Sequence, residues 1–165
     1  MAEEQSIKIL QADYTNPQHA RDLVYLLNTY AIDPMGGGVA LTGQVQNTLV
    51  AELARRNFAL SLLAYVNGNP AGLLNAFEGF STFAAKPLLN IHDIVVVKEF
   101  RGLQLSQKLL AALEVIARER GCCKLTLEVL QGNETAKRAY QKFGFAGYAL
   151  DPEVGQALFW QKKLS

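Results

Sequence analysis

Two periods alternate along the chain. Runs dense in apolar and β-branched residues, "SIKILQ", "FALSLLAYV", "AGLLNAFEGFSTF", "LLNIHDIVVV" and "KLTLEVL", read as strands. Between them, apolar residues return every three or four positions, the spacing of a helix face. The first such stretch, "NPQHARDLVYLLNTYAI", opens with Asn16 as cap and Pro17 at the first helical position, and "DPMGGGVA" breaks it. Thr42 starts a second helix over "GQVQNTLVAELARR". "NGNP" turns the second strand back on the third as an antiparallel hairpin. Leu105, Leu109, Leu113, Ile116 and Ala117 mark a third helix, with Glu114 and Arg118 paired on its outer face and Gly121 as its stop. "NETAKRAYQKF" is a fourth helix, and "GYAL" with "QALFWQKKL" reads as a final strand pair. The predicted order is β-α-α-β-β-β-α-β-α-β-β. Without a repeat, low-complexity tract or linker, residues 1–165 form one mixed α/β domain.

Composition narrows the class of partner. Half of the 165 residues are hydrophobic, enough for a core of the chain's own. A formal net charge of +1, with no block of lysine or arginine, lacks the footprint of a nucleic-acid binder and points to a small molecule. The start, "MAEEQSIKIL", is acidic and has no secretion-signal pattern, and no apolar run approaches the ~18 residues of a membrane span. A cytoplasmic protein is expected. Cys122 and Cys123 are adjacent, offer no disulfide framework or metal-ligand spacing, and read as small buried hydrophobes entering a strand.

Two motifs carry the chemistry. The first, Arg101-x-x-Gln104-x-Ser106, lies where a strand passes through a turn into the third helix. The second is Asn133-x-x-Ala136-x-x-x-Tyr140-x-x-x-Gly144-Phe145. On these motifs and the order of elements, the chain from Ile91 to Phe145 resembles the core of the GCN5-related N-acetyltransferases (GNAT), which move an acetyl group from acetyl-CoA to an amine. The second motif matches in full. In the first, Gln104 stands where the family usually has glycine, and Ser106 replaces a glycine or alanine. The resemblance implies a single N-acetyltransferase domain with a central mixed, mostly antiparallel sheet. It also implies a splayed parallel strand pair, about four flanking helices, and acetyl-CoA as cosubstrate with no metal.

The same resemblance implies residue roles. A strand-to-helix turn aims unpaired N–H groups and a helix dipole at one spot, so the N–H groups of Gly102, Leu103, Gln104, Leu105 and Ser106 would hold the CoA pyrophosphate, with Lys108 or Arg101 adding charge. Splaying of the strand Ile91–Val97 from Lys124–Leu130 would free backbone groups near Val95 and Val97 for the pantetheine arm. Tyr140 would be the general acid, since a phenol of pKa ~10 is protonated at neutral pH and can give its proton to a departing thiolate. Asn133 caps its helix and also stands within the cofactor motif.

The base has three candidates: His92, Asp93 and Glu78. Alternation along a strand puts His92 and Asp93 on opposite faces unless a bulge intervenes. "STFAAKPLLNIHDIVV" also resembles the diamine-type acetyltransferases of the family, which carry glutamate at the position of His92. An imidazole, at ~6.5 for its type, suits a base or relay near neutrality, whereas Glu78 and Asp93 suit attraction of a cationic amine. Three successive glycines make "DPMGGG" a mobile loop, from which Tyr30, Asp33 and Met35 would close on the acceptor. Two functions follow: a catalyst that acetylates a small primary amine, or a non-catalytic acyl-CoA sensor or interaction module. "ALFW" in the last strand leaves a homodimer contact open.

Overall fold

Asn67 and Gly68 both take positive φ (49° and 80°), the twist that closes a two-residue hairpin, and join β2 (Ala59–Val66) to β3 (Asn69–Ser81). The computed structural model, which describes residues 5–149 and 151–164, extends this hairpin into a five-stranded sheet. β1 (Ile7–Gln11) lies outside β2, β4 (Lys86–Val96) outside β3, and β5 (Leu125–Leu127) outside β4. All neighbours pair antiparallel except β4 and β5, which are parallel. This is the mixed, mostly antiparallel sheet expected from the sequence.

The two-residue period of the strands divides the core between the two faces. Leu60, Leu62, Leu74, Ala76 and Ile91 face α3 (Leu105–Glu119), with Phe143 of α4 (Glu134–Phe143) packed against the same cluster. Leu63, Leu73, Val95 and Val97 face the opposite way and are covered by Leu23 and Leu26 of α1 (Pro17–Ile32) and Leu53 of α2 (Gly43–Ala54). Side-chain oxygens of Asn16, Thr42 and Asn133 cap α1, α2 and α4, as their positions in the sequence predict. The buried Asp22 accepts hydrogen bonds from Gln18 Nε2 (2.8 Å) and the Tyr65 hydroxyl (2.7 Å), which ties α1 to β2 without leaving a lone buried carboxylate. No helix among the described residues is long and apolar enough to cross a membrane.

Three expectations change. The predicted strand Lys124–Leu130 shortens to three residues, because its pairing with β4 ends at Ile91–Leu127. The predicted final strand pair reduces to one antiparallel bridge, Ala149–Gln156; Leu150, at the end of "GYAL", lies outside the described residues. A two-stranded ribbon with no third strand has little stability of its own, and Leu158, Phe159, Trp160 and Leu164 remain 74–90% exposed. Of the two cysteines only Cys122 fits the apolar reading: it packs against the α3 side of the core, where burial pushes its thiol up, whereas Cys123 is exposed.

The "DPMGGG" loop is a tight turn rather than a slack one. Asp33 Oδ1 accepts from Met35 N–H (2.9 Å), and the Asp33 carbonyl accepts from both Gly36 N–H (2.8 Å) and Gly38 N–H (3.0 Å). Gly37 takes φ 118°, and a Cβ on Gly36 would collide with the Tyr30 carbonyl oxygen. The glycines thus let backbone approach backbone. Gly36→Ala is expected to lower stability by about 1–3 kcal/mol, the usual cost of an overpacked site, read as a fall in the denaturant or thermal midpoint. An unchanged midpoint would show that the turn yields freely.

Candidate active site

The site begins with a mismatch in β4. Beyond Ile91, β4 keeps β3 as a partner but has lost β5, so one edge of the strand is open. At the same place Asn75 pairs with Asp93 and Ala76 with Ile91, which leaves His92 as an extra residue in a β-bulge. The bulge overrides strict alternation: His92 and Asp93 share a face, with His92 Nδ1 3.5 Å from Asp93 Oδ1. The His92 and Phe77 rings meet in a T-shaped arrangement, centroids 5.6 Å apart.

Register also decides which backbone groups face the gap. Val97 N–H donates to the Ala71 carbonyl (2.9 Å), and the two-residue repeat of an antiparallel ladder aims Val95 at β3 as well. The free N–H and C=O groups therefore belong to Ile94 and Val96, which corrects the assignment of this role to Val95 and Val97. The Val95 and Val97 side chains are buried with Leu73 beneath α1.

Below the gap, the chain turns into α3. Gly102 takes φ 89°, and Gln104, the residue before the helix, is left-handed at φ 58°, ψ 30° with no side-chain cap. The first backbone bond of the helix runs from Lys108 N–H to the Gln104 carbonyl (3.1 Å), so the N–H groups of Leu105, Ser106 and Gln107 precede it and point outward. An uncapped helix start of this kind fits a pyrophosphate. The buried Leu105 side chain, with Leu103 packed in the same cluster, anchors the turn from below. Arg101 Nη2 lies 3.9 Å from Asp33 Oδ2 and links the turn to the "DPMGGG" loop.

Gln107 Nε2 donates to the Ala139 carbonyl (2.8 Å), which fixes α4 against α3 one residue before Tyr140. The Tyr140 ring lies edge-on to Phe145, centroids 6.1 Å apart. Burial, and secondarily the neighbouring Tyr30, push its phenol up to about 12. Tyr30 is itself raised, first by burial and then by the charges of Asp93 and Asp33. Tyr140, Tyr30, Asp33 and Asp93 therefore share one electrostatic neighbourhood where the end of α1 meets the parted strands. The Asn133 side chain serves the cap of α4, accepting from Ala136 N–H (3.2 Å). Glu78 does not join the cluster. It belongs to the opposite face of the sheet, paired with Arg120 Nη1 at 3.0 Å, and its assignment to the amine is corrected.

Sequence reasoning missed a row of polar side chains under α1. The Tyr14 hydroxyl contacts Ser61 Oγ (2.9 Å), Ser61 Oγ donates to Asn75 Oδ1 (2.6 Å), and Asn75 Nδ2 donates to Asp93 Oδ2 (3.0 Å). The signal was present: Ser61 and Asn75 sit at inward-facing positions of otherwise apolar runs, where a polar residue requires a partner. Also missed was an open groove of about 430 Å³ beside His92, lined by Leu49, Leu53, Phe58 and Phe77 with Glu52 and Arg56.

This architecture has known counterparts. The sequence profile of the acetyltransferase (GNAT) family matches residues 13–145. A thialysine N-epsilon-acetyltransferase of Caenorhabditis elegans is 26% identical over 125 residues, 75% of each chain. A streptothricin acetyltransferase of Streptomyces lavendulae is 38% identical over 85 residues, 52% of this chain and 45% of the relative. Among solved structures, a probable acetyltransferase superposes with a TM-score of 0.78 at 21% identity, covering 96% of this chain and 98% of the other. An aminoglycoside N-acetyltransferase in complex with CoA superposes with a TM-score of 0.77 at 17% identity, covering 99% of both. The chain belongs to the GNAT acetyltransferase family, and it is an N-acetyltransferase.

Gln104 offers a direct test of the helix start. A left-handed side-chain residue costs roughly 1–2 kcal/mol, part of which a glycine gives back through its freer unfolded chain. Gln104→Gly is expected to raise stability by up to about 1 kcal/mol and to change the CoA Kd by no more than about tenfold, since the cradle is made of backbone N–H groups. Calorimetry on both proteins checks this. Absence of CoA binding by the natural chain at millimolar ligand, with binding restored by Gln104→Gly, would show that the glutamine blocks the cradle.

Proposed function

We propose that the protein acetylates a small primary amine by direct attack of the amine nitrogen on the thioester of acetyl-CoA. The observation that carries this reading is that an uncapped helix start and a protonated phenol flank the parted edges of β4 and β5. Acetyl-CoA supplies the activated acetyl group. The N–H groups of Leu105, Ser106 and Gln107 hold the pyrophosphate, and the open backbone of Ile94 and Val96 receives the arm as a strand would be received. The names of the thialysine, streptothricin and aminoglycoside acetyltransferases support an amine acceptor, and the CoA in the last of these supports the cosubstrate.

The chain's own residues move the protons. An alkylamine, at ~10.4 for its type, is almost wholly protonated near neutrality, so the nucleophile must first lose a proton, which His92 receives. Asp93 and Asp33 hold the cationic form near the site. As the carbon–sulfur bond breaks, the Tyr140 hydroxyl donates to the departing sulfur. Burial raises that phenol, which keeps it protonated until the departing sulfur takes its proton. Solvent then takes the proton from His92, and the second proton, which the nitrogen loses as the amide forms, restores the one lost by Tyr140 through solvent. Release of CoA thiol across a panel of primary amines tests the acceptor class: turnover with small primary amines supports this reading, and its absence overturns it.

Tyr140→Phe is expected to lower kcat by on the order of 10–10³-fold with CoA affinity little changed, because the ring packing survives and only the donor is lost. Unchanged turnover would remove Tyr140 from the reaction.

We further propose that a second copy of the chain covers the exposed segment 157–164. The side chains of Phe159 and Trp160 alone would bury roughly 300–500 Å², and Leu158 and Leu164 bring each copy toward the ~800 Å² of a stable interface. Trp160→Asp is expected to convert a dimer to a monomer in sedimentation velocity at micromolar chain. A natural chain that is already monomeric there would exclude the contact.

A further inference from the structure

We propose that the row Tyr14–Ser61–Asn75–Asp93 sets the tautomer of His92, protonating Nδ1 and leaving Nε2 as its basic nitrogen. The consequence for catalysis rests on the reading of His92 as the group that receives the amine proton; the tautomer itself does not.

Every hydrogen in the row can be assigned. Ser61 has one hydroxyl hydrogen and gives it to Asn75 Oδ1. Tyr14 must then be the donor to Ser61 Oγ. With its oxygen so engaged, the Asn75 amide turns its NH2 toward Asp93 Oδ2. A flipped amide would set its oxygen against the Asp93 carboxylate. All three donors thus point the same way, toward the carboxylate, and bonds in series of one sense polarise each other.

The row ends where it has an effect. Asp93 Oδ2 is held by Asn75, which fixes the rotation of the carboxylate and leaves Oδ1 facing His92 Nδ1 at 3.5 Å. Among the described residues His92 is the sole ion-pair partner of Asp93. A neutral imidazole beside that oxygen is favoured with a hydrogen on Nδ1 and disfavoured with a lone pair there. The Phe77 ring supports the imidazole from the side. Ser61 and Asn75 are a buried cross-strand pair beside the Leu63–Leu73 pair, where apolar residues of the same size would satisfy packing alone. Tyr14, Ser61 and Asn75 are positioning residues: they act through Asp93.

The chain has two histidines, and the other is an internal control. His19 Nδ1 accepts a hydrogen bond from Asp13 N–H (3.0 Å), so His19 carries its hydrogen on Nε2. Two-bond nitrogen–proton NMR spectra, recorded where both rings are neutral, are expected to show His92 mainly as the Nδ1–H form and His19 as the Nε2–H form. Asn75→Ala should lower the Nδ1–H to Nε2–H ratio of His92 by about fivefold or more, the scale of one ordinary hydrogen bond, and leave His19 unchanged. Tyr14→Phe, which deletes only a hydroxyl, should shift the ratio in the same direction by a smaller factor, and it carries the test if Asn75→Ala does not fold. An Nε2–H form of His92 in the natural chain, or a ratio unmoved by folded Tyr14→Phe or Asn75→Ala, overturns the proposal. Turnover of His92→Gln is measured alongside. If it stays at the natural rate while the NMR result holds, the role of His92 as proton acceptor falls and the row stands; if it drops while the ratio is unmoved, the row falls alone.

Discussion

β4 holds β3 along its whole length and β5 for only three residues, and the site depends on that inequality. A strand that loses one neighbour leaves alternate N–H and C=O groups unpaired, here those of Ile94 and Val96, and such groups require water or a ligand shaped like a strand. The same loss of β5 permits the extra residue at His92, since a bulge is easily accommodated where only one ladder has to be kept. One departure from regular pairing thus opens the cleft and turns His92 and Asp93 to the same side.

Around the cleft, burial and charge act together on the phenols. Tyr140 and Tyr30 are raised by desolvation first, and the carboxylates of Asp93 and Asp33 raise Tyr30 further. A region with two carboxylates and two neutral hydroxyls suits a cation that must lose its charge before it reacts. The uncapped N-terminal end of α3 suits an anion, and Arg101 from the turn before it reaches Asp33.

Much of this was legible in the sequence because it rests on local rules. Caps at Asn16, Thr42 and Asn133, the Asn67–Gly68 turn and the spacing of Leu105, Leu109 and Leu113 are decided within a few residues. The turn through Arg101 and Gln104 into α3 and the helix that carries Tyr140 followed from motif spacing. What could not be read depends on long-range pairing. Which backbone groups of β4 face outward turns on whether Val97 or Val96 bonds to β3, a choice set by the register with Ala71. Glu78 was misplaced because its side of the sheet is fixed by the α3 terminus at Arg120. The segment after Gln156 has strand-like residues, but a strand needs a neighbour as well as a composition.

The polar row beneath α1 has a consequence for folding fidelity. A slip of two residues keeps each side chain of β2 and β3 on its own face and still sets apolar against apolar, with Leu60 opposite Leu74 and Leu63 opposite Ala71. Ser61, Asn75 and Asp93 stand opposite one another across three strands in only one alignment. Any slip leaves each of them facing a hydrocarbon neighbour without a partner, at a few kcal/mol apiece. The row therefore acts as a key for strand alignment: it adds little to the depth of the native state and much to the height of the states beside it.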